Sequence, residues 1–158
     1  SSSTPHYAKT GSTPAGKLTR KKNLTEIMAA HGVPYAATAS AGHMADLTRK
    51  VAKARAMHGT RILTLLIPCL DGWGVDDDKG LAAARLAVET GAFPLLEVED
   101  GVRYTVNAAK TRPISEYLSI QRRYRHMDAE QIAALQAEID EGWARLQQRA
   151  AASAGAAM

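Results

Sequence analysis

The feature that most constrains this chain is its longest apolar run, Ile62 to Leu70, which lies between two segments of helical periodicity. A membrane-spanning helix needs about 20 such residues, so the run cannot cross a bilayer and suits a buried strand. Apolar residues occupy both of its faces, as in a central parallel strand, and Arg61 to Pro68 (RILTLLIP) is read as that strand, ending at Cys69.

On either side, strand-like and helix-like segments alternate. Asn23, with Glu26 three residues later, marks a helix start; Ile27 and Met28 supply its apolar side and Gly32 ends it. Pro34 to Ser40 (PYAATAS) reads as a strand of small residues. Met44, Leu47, Val51 and Ala54 recur at spacings of three and four, giving a helix over 43–58 with that apolar face, stopped by Gly59. Residues 70–79 (LDGWGVDDDK) read as a loop, and a helix over 79–90 carries Leu81, Ala84 and Val88 on one face. Phe93 to Val98 is a strand, and Asp100-Gly101 turns it into a hairpin with Val102 to Val106. A turn of helix is expected around Glu116 to Ile120. A last helix runs over 128–149, capped by Asp128 with Gln131, with the stripe Ile132, Leu135, Ile139, Trp143 and Leu146; the tail beyond Arg149 should fray. The alternation predicts an α/β fold with a mainly parallel sheet, helices on both faces and a long C-terminal helix. The division drawn is 1–126 for the α/β part and 127–158 for the helix and tail.

Composition narrows the class further. The 158 residues hold a single cysteine, which excludes an internal disulfide framework and fits a reducing cytoplasm. The net charge of +4 permits anionic ligands without establishing them. Alanine supplies much of the apolar content and packs thinly, so part of the surface is expected to lean on a partner. The chain starts at serine with no signal region, and is read as a fragment, a processed product or a subunit seen in part. Residues 1–17, rich in Ser, Thr, Gly and Pro, read as an extended loop: a tail, or a loop that wraps a cofactor or a neighbouring subunit.

Few residues carry visible chemistry. Cys69 lies past the carboxyl end of a strand, where ligands gather in open α/β sheets, and Gly72 and Gly74 let the backbone pass close to a bulky group. A thiolate there could ligate a soft metal or cluster; the alternative is an inert, buried packing residue. Asp76-Asp77-Asp78 suggests a cation site or, more commonly, a solvated approach to a helix. Arg20-Lys21-Lys22 could meet a phosphate, against a solvated or subunit-facing patch. Arg122-Arg123-Tyr124-Arg125-His126 could bind a nucleotide-bearing substrate such as coenzyme A, with a salt-bridged partner surface preferred. No Gly-rich phosphate loop, HExxH, GxSxG or CxxC occurs, and the histidines lack metal-ligand spacing.

Several stretches in order resemble the beta subunit of 2-oxoacid:ferredoxin oxidoreductases. They are Ser3-Thr4-Pro5 with Thr13-Pro14 and Gly16-Lys17; Lys21-Lys22-Asn23-Leu24 with His31 to Tyr35 and Ala37 to Ser40; Pro68-Cys69 with Gly72-Trp73; Ala87 to Gly91 with Phe93-Pro94-Leu95 and Glu97; and Arg112-Pro113, Glu116-Tyr117-Leu118 and Gln121 to His126. The resemblance runs from the first residue to about His126, and its specificity lies in the combination.

The resemblance implies the C-terminal part of a thiamine-diphosphate-binding fold in a multi-subunit cytoplasmic enzyme, inactive as this chain alone. Such an enzyme decarboxylates a 2-oxoacid, pyruvate-type or aryl such as phenylglyoxylate, to an acyl-CoA. Electrons pass through iron–sulfur clusters to ferredoxin or to NAD through a further subunit. Implied cofactors are thiamine diphosphate, Mg2+ and a 4Fe-4S cluster. Implied partners are the rest of the beta subunit, alpha, gamma and ferredoxin-like delta subunits, and coenzyme A; neither nucleic acid nor a membrane span is expected. Cys69 matches a cluster ligand, and Ser1, Ser2, Ser3 and Thr4 match the edge of the thiamine site. The CxxC, the Gly-Asp-Gly thiamine signature and the magnesium ligands of the family are not in this sequence, so catalytic residues lie elsewhere. Two other classes stay open: a non-catalytic α/β assembly or regulatory module, and an anionic-ligand-binding domain using the basic clusters.

Overall fold

A computed structural model describes residues 4–155. Element order is α1 (Leu24–Ala30), β1 (Tyr35–Ser40), α2 (Met44–Ala56), β2 (Arg61–Leu66), α3 (Leu70–Trp73), α4 (Gly80–Glu89), β3 (Leu96–Glu99), β4 (Arg103–Val106), α5 (Ile114–Ser119) and α6 (Ala129–Gly155). Short 3-10 turns at Asp77–Lys79 and Arg122–Tyr124 precede α4 and α6.

The strands form one sheet in the order β2-β1-β3-β4. The fold is α/β with a long C-terminal helix, as the sequence predicts. The sheet is mixed: β1 and β2 pair in parallel, whereas β1–β3 and β3–β4 are antiparallel. The Asp100-Gly101 turn explains the β3–β4 hairpin, since both residues adopt positive φ (52° and 74°) and so reverse the chain within the connection between Glu99 and its cross-strand partner Arg103.

Helices cover both faces. On one face Ala36, Leu96 and Val98 pack with Ala29 and Val33 and with Leu146 of α6. On the other, Tyr35 and Ala37 pack with Ala54 of α2. A third core gathers Ala87, Phe93, Ile114, Tyr117, Leu118, Tyr124 and Leu135, with Ala8 of the N-terminal segment buried in it.

The face of α2 differs from the expected one. Met44 and Val51 are exposed, and the helix turns Lys50 and Ala54 inward. A charge network favours that rotation. Glu97, 1% exposed on β3, accepts hydrogen bonds from Tyr35 Oη (2.8 Å), Arg49 Nη1 (2.6 Å), Lys53 Nζ (3.0 Å) and Asn107 Nδ2 (3.0 Å). Lys50, fully buried, donates to the Thr38 carbonyl (2.8 Å) and pairs with Asp46 (2.7 Å). Burying an ammonium or carboxylate is tolerable only with partners of this kind.

Four further expectations are corrected. β2 is an edge strand, not a central one, and Leu65 and Ile67 stay exposed. In α4 the buried positions are Ala83, Ala84, Ala87 and Val88, with Leu81 exposed. α6 continues to Gly155 instead of fraying after Arg149: alanine favours helix, and Ser153 Oγ accepts from Tyr104 N (3.1 Å) and anchors the last turns to β4. Its start is as expected, with Gln131 N donating to Asp128 Oδ1 (2.8 Å) and Asp128 N to Gln131 Oε1 (3.4 Å). In α1, Asn23 caps Glu26 N, but Thr25 and Ala29 are the buried residues and Ile27 is exposed.

Candidate functional site

Beyond the carboxyl end of β2 the chain runs through Ile67 and Pro68 to Cys69, which starts α3. Residues 70–79, expected as a loop, thus hold one short helix and one 3-10 turn. Gly74 closes α3 in the left-handed conformation (φ 65°), with its N–H donating to Asp71 O (3.1 Å). Its carbonyl then accepts from Arg122 N at 3.1 Å, bringing the second basic cluster against α3.

A cavity of about 510 Å3 opens here. Thr4, Lys21, Cys69, Gly72, Trp73 and Arg123 all line it, together with apolar residues of the third core. Cys69 is exposed among the described residues and not buried within this chain. A Cβ at Gly72 would stand 2.9 Å from Cys69 Sγ, so only glycine leaves the thiol clear.

Arg123 is the member of the second basic cluster that the fold turns inward. Its guanidinium carbon lies 4.1 Å from the centre of the Trp73 ring and 4.9 Å from that of Tyr124. Its Nε donates to Gln121 Oε1 (2.9 Å), while Gln121 Nε2 donates to the Tyr117 carbonyl (2.6 Å). Arg123 is 8% exposed, and its Nη2 is buried with no hydrogen-bond partner among the described residues. An orphaned buried donor of this kind is costly unless an acceptor occupies the space beside it. Lys21 stands over the Phe93 ring at 5.3 Å. Desolvation, the Arg123 charge and then Lys17 hold its ammonium below the usual lysine range. Glu138, the carboxylate on the same wall, is already engaged by His6 (2.8 Å) and Arg20 (3.4 Å).

The N-terminal segment is no loose tail. Tyr7 N donates to Lys17 O (2.7 Å), and Lys9 N to Arg123 O (3.1 Å), so the loop closes over the cavity with Thr4 buried. Of the residues assigned to the edge of the thiamine site, Thr4 shares the cavity with Cys69; Ser1, Ser2 and Ser3 lie outside the described residues. Asp76 to Asp78 are exposed, and Asp76 pairs with Lys79 (2.8 Å). Arg122 and Arg125 remain exposed.

The donor set fits one corner of an iron–sulfur cluster: one accessible thiol, cleared by glycine, beside an orphaned cationic donor. It does not fit a magnesium diphosphate site. Among the described residues no group of three or more His, Cys, Asp or Glu could hold a metal ion. Nor, among them, is any helix long and apolar enough to cross a membrane.

No family model matches the chain. Pyruvate synthase subunit PorB of Methanocaldococcus jannaschii is 48% identical over 147 residues, covering 89% of this chain and 49% of that protein. The chain is homologous to the beta subunit of the 2-oxoacid:ferredoxin oxidoreductases. Two more relatives are similar over most of the chain. Ketoisovalerate oxidoreductase subunit VorB of Pyrococcus horikoshii is 42% identical over 159 residues, covering 95% of this chain and 51% of that protein. Pyruvate synthase subunit PorB of Thermotoga maritima is 41% identical over 157 residues, covering 92% and 48%. The chain thus spans about half the length of the beta subunits it matches.

Proposed function

We propose that this chain is the C-terminal part of a beta subunit in a multi-subunit cytoplasmic enzyme that oxidises a 2-oxoacid. The carrying observation is identity of 41–48% to pyruvate synthase and ketoisovalerate oxidoreductase subunits over most of the chain. The reaction converts a 2-oxoacid and coenzyme A to an acyl-CoA and CO2, and the electron pair released passes through iron–sulfur clusters to ferredoxin or to NAD. Pyruvate is the first substrate to try, then the branched-chain acid, then an aryl acid such as phenylglyoxylate. Thiamine diphosphate, when bound with Mg2+, supplies the carbanion stabilisation. Its diphosphate and metal ligands belong to the remainder of the subunit, with Thr4 at the edge of that site.

Cys69 is assigned as one thiolate ligand of a 4Fe-4S cluster, the other ligands coming from the remainder of the subunit. What this chain does is hold that thiolate. The β2–α3 junction presents it to the cavity, Gly72 keeps its flank clear, and the N-terminal loop closes the cavity. The remainder of the beta subunit also accounts for the open β2 edge, where Leu65 and Ile67 face solvent. Residues 1–126 are read as the C-terminal part of the thiamine-binding domain, with 127–158 as the C-terminal helix and tail. Alpha, gamma and ferredoxin-like delta subunits complete the assembly.

The test is iron content and the reduced-state EPR spectrum of the complex purified with its partner subunits, wild type against Cys69→Ala. Loss of one 4Fe-4S signal, or its conversion to a three-iron type, with a parallel fall in oxoacid-dependent electron transfer, supports the assignment. Unchanged iron, spectrum and turnover would leave Cys69 a surface residue and favour a non-catalytic module.

A further inference from the structure

The cavity wall carries more positive charge than its own residues balance. Arg123 and Lys21 line it, and the Glu138 carboxylate on the same wall is taken up by His6 and Arg20. Stacking on Trp73 and Tyr124 and the bond to Gln121 fix the Arg123 guanidinium in place. The arrangement leaves Nη2 buried and without a hydrogen-bond partner among the described residues. A buried cation held so rigidly, with a donor to spare, is built for an anion. The same cavity receives the Cys69 side chain. A cluster bound by thiolates is itself an anion, and gains further negative charge when it is reduced. Charges and hydrogen bonds around the sulfurs are among the levers that set its potential.

We propose that Arg123, assisted by Lys21, is the counter-charge for the cluster held at Cys69 and raises its reduction potential. This rests on the reading of Cys69 as a cluster ligand. Arg123 is then a positioning and tuning residue: it binds no iron, but favours the more negative, reduced form. The ordering of the two residues follows from burial. Arg123 is enclosed and fixed, so its charge is little screened. Lys21 is open to solvent on one side, so its effect is smaller.

The experiment is a mediated redox titration followed by EPR on the complex purified with its partner subunits, using dithionite as reductant. Wild type is compared with Arg123→Gln, Lys21→Gln and Cys69→Ala. Expected is a cluster that Arg123→Gln retains in iron and signal but whose midpoint moves to more negative potential. Lys21→Gln should move it the same way by less. If Cys69→Ala removes the signal while both charge variants keep the wild-type midpoint, the counter-charge role is wrong and the ligand assignment stands. If Cys69→Ala leaves every signal intact, the ligand assignment fails and takes this inference with it. Should Arg123→Gln lose the cluster through misfolding, the exposed Lys21 position decides: a negative shift supports the inference, and an unmoved midpoint overturns it.

Discussion

Replacing Glu97 by glutamine should cost this fold more than any other single isosteric change. The side chain is buried on β3 and accepts from Tyr35, Arg49, Lys53 and Asn107, so its charge is the hub of the α2–sheet contact. Burial alone would raise its pKa. The Tyr35 hydroxyl, then Arg49 and Lys53, outweigh that and hold the carboxyl down at about 2, against an ordinary value of 4.5. At about 1.4 kcal/mol per pH unit, the difference corresponds to about 3 kcal/mol of folding free energy at neutral pH. Because the folded-state pKa is the lower one, that contribution is fully present above pH 4.5 and is lost as pH falls from there toward 2. Glutamine keeps the shape but turns one oxygen into an N–H facing groups that already donate, so either Arg49 at Oε1 or Lys53 at Oε2 loses its acceptor and both lose the opposing charge. The expected result in urea denaturation is a loss of about 3 kcal/mol at pH 7, with the gap to wild type narrowing steadily below pH 4.5. A loss under about 1 kcal/mol at pH 7, or a gap that stays constant between pH 4.5 and 2.5, would refute the reasoning and reduce the network to surface ion pairs.

Two smaller changes probe the cavity and the C-terminal helix. Gly72→Ala puts a Cβ 2.9 Å from Cys69 Sγ, so the thiol must move; iron content and the EPR signal of the assembled complex should fall while the melting temperature of the protein changes little. Ser153→Ala removes the acceptor for Tyr104 N and should cost about 1 kcal/mol, with faster amide exchange at Tyr104; unchanged exchange there would show that the contact is not formed in solution.

The parts of the fold that were legible in the sequence are those decided within a few residues. Asn23 and Asp128 cap helices because a side-chain oxygen reaches an amide three positions on. Asp100-Gly101 makes a hairpin because both residues tolerate positive φ. The stripe of α6 is local too: Ile132, Leu135 and Ile139 meet the third core, and Trp143 and Leu146 meet the sheet. The face of α2 was not legible. Met44, Leu47 and Val51 have the right spacing for a buried stripe, but Glu97 and Glu99 lie on a strand far along the chain. Their charges hold Arg49 and Lys53, Asp46 and the Thr38 carbonyl hold Lys50, and Met44 and Val51 are left outside. Periodicity counts apolar residues and cannot weigh a buried carboxylate waiting on another strand.

The site divides in the same way. Cys69 and Thr4 were marked by resemblance, and the fold gives them a common cavity that neither local pattern could announce. Arg123 was hidden among like residues: the run Arg122 to Arg125 holds three arginines, and nothing in it says which turns inward. The choice is made by backbone geometry at Gly74. There φ is 65°, a residue with a Cβ would stand 2.5 Å from Arg122 Cβ, and the carbonyl accepts from Arg122 N. That one close approach sets the 3-10 turn against α3 and sends Arg122 outward. It leaves the next side chain, Arg123, to stack over Trp73, four residues beyond the cysteine. The glycine that ends the short helix after Cys69 is therefore also the residue that brings a fixed positive charge into the cysteine's cavity.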